Sequence, residues 1–316
     1  MRSLLCACLL MIACGPAVAD PLIAVPADHD SDLRWFGADG RHLEGAPAFQ
    51  RMPSADLSLW IAGNQFFAME RVIGDFQKTH HDISVGLITL PPGLILTAIK
   101  AGGWTYQGQS LALRPDVYGS VSLKQIRDTG LIDSYVVYMH NALQLMVAPG
   151  NPKRINDLRD LARPELRVAL PNPVSEGIMS EYARPALERL GLWRELSGGQ
   201  ECAGCDPTPR VHFTVVHHRE IPERIAAGQT DVGIVWQTET KAALARGAKV
   251  DGVTLPRDQS AIDQVGYFAG VLRGSPHADA AMAYVAFITS PAGQAAYGTF
   301  GFLPASEAER RPMRLE

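Results

Sequence analysis

A two-lobed α/β protein is the fold class this sequence predicts, on three observations. Short apolar runs alternate with segments of helical period. The alternation comes in two successive sets and is followed by a C-terminal return, so the first lobe is discontinuous in sequence. The apolar runs end in loops rich in Gly, Pro and Asn, the chemistry of sharp turns.

The first set opens with the apolar run Leu57–Ala62, broken by Gly63-Asn64. Phe66, Phe67, Met69, Val72, Ile73 and Phe76 then recur at helical spacing. Ile83–Ile88 reads as the next strand, Leu94–Lys100 as a helix, Asp116–Val121 as a third strand and Leu123–Arg127 as a helical turn. The second set runs through strand Leu143–Ala148, helix Leu158–Ala162 and strand Leu166–Leu170. It continues with helix Glu176–Leu190, strand Phe213–Val216, helix Glu220–Ala227 and strand Asp231–Trp236. The return consists of strand Val265–Leu272 and helices Asp279–Ile288 and Gly293–Gly298. Residues 20–55 show no sustained period and read as an extended arm or partly disordered segment. The expected division is residues 56–141 plus 238–316 for lobe 1 and 142–237 for lobe 2, with an insertion near 197–211.

Arg2 precedes a short apolar run that ends at Ala17-Val18-Ala19, so residues 1–19 read as a secretory signal peptide with Asp20 beginning the mature chain. Met11-Ile12-Ala13-Cys14-Gly15 is also similar to a lipobox, which would acylate Cys14 and tether the chain to a membrane. A net charge of −4 lacks the basic stripe of a nucleic-acid footprint. Only Cys202 and Cys205 remain beyond the leader. Their C-x-x-C lies among Gly, Asp and Pro, which favours a loop-stapling disulfide; a metal pair and a thiol–disulfide site are the alternatives. The chain has no G-x-S-x-G elbow, P-loop, dinucleotide fingerprint or H-E-x-x-H, so no enzyme is expected.

Four stretches, in order, resemble bacterial periplasmic solute-binding proteins of the type 2 class, in particular the molybdate- and tungstate-binding branch. Leu57-Ser58-Leu59-Trp60-Ile61-Ala62-Gly63-Asn64 leads into an amphipathic helix. Arg114-Pro115-Asp116-Val117-Tyr118-Gly119-Ser120 is similar to that family's "x-DVF-x-S" strand. Gly228-Gln229-Thr230-Asp231-Val232-Gly233-Ile234-Val235-Trp236 matches its "G-x-A-D-x-G-I-V-Y" segment. Ser290-Pro291-Ala292-Gly293-Gln294, Tyr297-Gly298 and Gly301-Phe302-Leu303-Pro304 match its ending. The resemblance implies a hinged, monomeric type 2 fold, periplasmic and without cofactor, that hands its ligand to an ABC permease. Gly63-Asn64-Gln65 and Thr89-Leu90-Pro91-Pro92-Gly93 stand where molybdate binders carry small Ala/Ser residues and a Ser-Ser-Gly turn.

Ligands of open α/β sheets bind beyond the carboxyl ends of strands, near helix N-termini. That rule nominates Asn64 and Gln65 after the first strand, Pro92 and Gly93 after the second, and Ser120 after the third. Each has a plainer role as a cap or turn residue. Tyr138 and Asn141, near His140, lie where the chain should cross between lobes, and Trp236, Thr238 and Glu239 at the second crossing. Ser175 opens a helix with Glu176 beside it. His217, His218 and Glu220 follow an apolar strand, and adjacent residues on an extended chain point opposite ways, so one imidazole at most should enter the cleft in that conformation. An oxyanion held by neutral donors is the leading ligand. A transition metal on His217, His218 and Glu220 is the second reading, and an organic solute the third.

Overall fold

The computed structural model describes residues 21–27 and 29–315. The leader, with its lipobox Cys14, lies outside the described residues.

Three neighbouring strands, Leu57–Ile61, Val85–Ile88 and Val117–Ser120, pair in parallel at the centre of the larger sheet. They are apolar on both faces because helices cover both sides, the signature of a buried parallel sheet. Gly266–Val271 and Ser134–His140 extend the sheet antiparallel on one side. Leu33–Phe36 and His42–Glu44 extend it on the other. The second sheet has six strands in the order Cys205–Thr208, Val211–Phe213, Val168–Leu170, Val232–Trp236, Leu143–Val147 and Asp251–Thr254. A small third sheet joins Ile23–Ala24, Trp104–Tyr106 and Gln109–Leu111.

Three expectations change. The segment 20–55 is built into the large sheet rather than draped over it: Leu33–Phe36 pairs with Val85–Ile88, and Gly45–Arg51 is a helix. Leu33, Trp35 and Phe49 bury their side chains, which is why a segment without period is still ordered. The strand expected at Phe213–Val216 is instead Val211–Phe213, so Thr214 to Val216 are loop. The second sheet also extends beyond residue 237. Helix Gln237–Ala245 follows Trp236 directly, and Asp251–Thr254 pairs with Leu143–Val147. The chain rejoins the large sheet only at Gly266, because two antiparallel partners for Leu143–Val147 complete that sheet's edge.

The first crossing runs from His140 to Leu143, as the sequence suggests. Close approach between the two halves needs glycine at two positions. A Cβ on Gly93 would stand 3.1 Å from the Ser175 carbonyl oxygen, and one on Gly63 3.0 Å from His217 Nε2.

Candidate ligand site between the lobes

Strand Val168–Leu170 ends at Pro171-Asn172-Pro173, and the Asn172 side chain then organises the turn. Its Oδ1 accepts from the Val174 and Ser175 backbone N–H groups at 3.0 and 2.9 Å, an Asx-type turn. This presents Glu176, 2% exposed, at the start of the helical segment Ile178–Arg189. The Glu176 carboxylate accepts from the Asn172 N–H and Nδ2, the Thr214 hydroxyl, and the His218 N–H and Nδ1. Its two oxygens are saturated by the protein, so an ionised carboxyl is tolerated in the interior.

His218 stands between two carboxylates. Nδ1 bonds Glu176, and Nε2 lies 2.5 Å from Glu239 Oε2. Burial pulls the imidazolium down, but the charges of Glu239 and Glu176 outweigh it and push its pKa up to about 9. Glu239 Oε2 also accepts from the Trp236 N–H at 3.3 Å.

His217 behaves in the opposite way although the two rings stack, 4.2 Å between centroids. Burial, then the positive charges of Arg219 and His218, hold it well below the ordinary imidazole value, so it is neutral at pH 7. Its Nδ1 accepts from the Arg219 backbone N–H at 3.1 Å, capping the turn His218–Glu220. A backbone N–H can only donate, so the single ring proton sits on Nε2.

Asn64, Pro91, Pro92, Val121, Glu176, Gly177, Ile178, His217, His218 and Trp236 line a small cavity of about 10 Å³. It lies where residues from both sheets converge at the starts of helical segments, whose first N–H groups lack intrahelical partners. Of the nominated residues, Asn64, Pro92, His217, His218 and Trp236 are brought to this cavity, and Glu239 stands behind His218. Gly93 packs on Ser175 beside it.

The others are placed elsewhere. Gln65 turns into the large lobe, where its Oε1 accepts from the Tyr138 hydroxyl at 2.8 Å. Ser120 bonds Gln125 and the Ser122 N–H, and Ser175 bonds Asn172. Asn141 Nδ2 donates to Thr238 Oγ1 and to the Tyr267 hydroxyl, at 2.8 and 2.9 Å, at the crossing between the two sheets. Glu220 does not join the histidines in a metal triad; it faces His212 Nε2 at 3.1 Å, and Glu176 takes its place. Cys202 and Cys205 are bonded to each other, and neither lines the cavity.

Tyr267 and the pair Asp32–Arg219 were not legible beforehand. The Tyr267 hydroxyl accepts from Asn64 Nδ2 at 2.5 Å, tying the cavity to the hinge, but a hydroxyl on the core face of an apolar strand leaves no trace in a pattern. Asp32 accepts from Arg219 Nη2 at 2.6 Å across the two halves and from Thr89 Oγ1 at 2.9 Å within its own half. Asp32 and His29 stand in a polar run that reads simply as loop.

A family model described as bacterial extracellular solute-binding protein matches residues 57–303. The chain belongs to that family. Its members bind and transport solutes and are not enzymes. A sulfate-binding protein of Synechococcus elongatus is 27% identical over 62% of this chain, and a molybdate-binding protein of Mycobacterium bovis 25% identical over 59%. The aligned parts span 57% and 65% of those two relatives, less than two thirds of each. Among solved structures, the periplasmic molybdate-binding protein of Azotobacter vinelandii superposes with a TM-score of 0.63 at 18% identity. That alignment covers 79% of this chain and all of the other, and it shows the fold, that of a type 2 periplasmic binding protein.

Proposed function

We propose that this protein is an extracytoplasmic receptor that captures a small tetrahedral oxyanion between its lobes and delivers it to an ABC permease. Molybdate, tungstate and sulfate exemplify the chemistry. The observation that carries the reading is the placement of His217: it lines the cavity, and because its Nδ1 accepts from the Arg219 backbone N–H, its Nε2 is left as a donor without formal charge, beside the starts of several helical segments. The relatives named as sulfate- and molybdate-binding proteins support the same class. Ligand contacts from both lobes would favour the closed state over the open one. Export through the leader, with or without acylation at Cys14, and a monomeric state belong to the same proposal.

The metal reading is the weaker one for a specific reason. Ligand atoms of Glu176, His217 and His218 lie within 4.8 Å of one another. Yet both His218 nitrogens face carboxylates, His217 Nε2 carries a proton, and both Glu176 oxygens accept hydrogen bonds. As folded, neither imidazole offers a metal a lone pair.

The test is a calorimetric and thermal-shift panel of molybdate, tungstate, sulfate and phosphate against divalent metals, with and without chelator. A ligand at a hundredfold excess over its dissociation constant should stabilise the native state by about 2.7 kcal/mol. Binding of an oxyanion that is lost in His217→Phe supports the proposal. A chelator-reversible shift with a metal, and none with any oxyanion, would overturn it.

A further inference from the structure

The inner cavity cannot hold a whole tetrahedral ion as it stands. About 10 Å³ accommodates one water-sized atom. His217 also lines a second space, an open groove of about 580 Å³ to which both halves of the molecule contribute. Ala27, His29 and Phe66 border it from one half; Val215, Val216 and Arg219 border it from the other.

The groove mixes charged and apolar lining. Asp32, Glu220 and Glu223 also border it, Asp32 being held by Arg219 and Glu220 by His212, while Val215, 56% exposed, and Val216 supply an apolar edge. The Phe66 ring carries two guanidinium groups, Arg219 at 4.2 Å and Arg246 at 5.5 Å from its centroid. Arg219 is committed to Asp32. Arg246 is exposed and, among the described residues, forms no ion pair, so its charge is available on a shelf that also offers apolar and aromatic surface. An inorganic oxyanion has no group that would use such a shelf.

We infer that the ligand is an oxyanion bearing an organic substituent, a phosphonate or a phosphate or sulfate monoester. One oxygen of its head would meet His217 Nε2 at the cavity, and its body would lie in the groove against Phe66, Val215 and Arg246. The inference rests on the oxyanion reading and narrows its substrate class.

The experiment compares matched pairs by calorimetry on the mature protein: phosphate with phenylphosphonate, and sulfate with phenyl sulfate. The organic member of each pair should bind at least 10-fold more tightly. Arg246→Ala, a change at an exposed helix end, should remove most of that advantage while leaving the melting temperature of the free protein unchanged. Equal or tighter binding of the inorganic member overturns this inference and leaves the oxyanion receptor standing. An organic preference that Arg246→Ala and Phe66→Leu both leave intact also overturns it, because the body then lies elsewhere. Failure of all four anions to bind overturns this inference; failure of molybdate and tungstate as well would remove the oxyanion reading itself.

Discussion

The two halves of the molecule approach the cavity with different chemistry. The half built on the six-stranded sheet contributes the acid–imidazole group Glu176, His218 and Glu239, whose members satisfy one another within that half. The half built on the larger sheet contributes neutral Asn64, whose amide is tied through Tyr267 to Asn141 and Thr238 at the crossings. On the proposed closure, the ionic network would stay intact as the halves separate, whereas the amide network would move with the crossings, so one half would act as a preorganised wall and the other would follow the state of closure.

Breaking the wall should have the largest effect. Glu176→Gln leaves the buried His218 imidazolium with one carboxylate and should cost about 3–5 kcal/mol, read from denaturant unfolding. The same network gives stability a pH dependence. The folded pKa of His218 is raised to about 9 from 6.5, so its contribution is full below pH 6.5 and is lost as pH rises through 9. Unfolding free energies measured from pH 6 to 9.5 should fall, and His218→Gln should flatten the slope. No change in slope would mean that His218 is not the buried cation described here.

His217 separates binding from stability. His217→Phe keeps a ring in place and removes the Nε2–H donor, which should weaken anion binding about 10–100-fold. Loss of the Nδ1 cap on the Arg219 N–H should lower stability by only about 1 kcal/mol; a collapse in stability with affinity retained would reverse the assignment. Arg219→Ala retains the backbone N–H that caps His217 but removes the bond to Asp32 across the halves. Affinity should fall about 10-fold, in line with a charged hydrogen bond lost, and the radius of gyration from solution scattering should increase. Tyr267→Phe is the mildest change. It leaves the Asn64 amide without its acceptor, leaves Asn141 with Thr238 alone, and should cost about 1 kcal/mol, with a small loss of affinity.

Much of the fold could be read from local pattern. The apolar runs at Leu57–Ile61 and Val232–Trp236, the helix after Asn64 and the crossing near Asn141 all lie where periodicity and turn residues put them. Strands Cys205–Thr208 and Asp251–Thr254 were missed, because short edge strands with half-exposed polar residues carry little alternation. The bend at Thr214 also escaped, since Val215 and Val216 continue the apolar run beyond the last ladder bond.

Interactions within a few residues set the layered α/β architecture and put a His-His pair and a helix-opening acid at strand ends. Which acid meets which imidazole depends on contacts between distant parts of the chain. Glu176 and His218 are 42 residues apart, and Arg219 reaches Asp32 across 187. Those separations also decided that one histidine is charged and its neighbour neutral. A pKa in the interior follows from burial and from the charges that folding brings alongside, and neither is a property of the local chain.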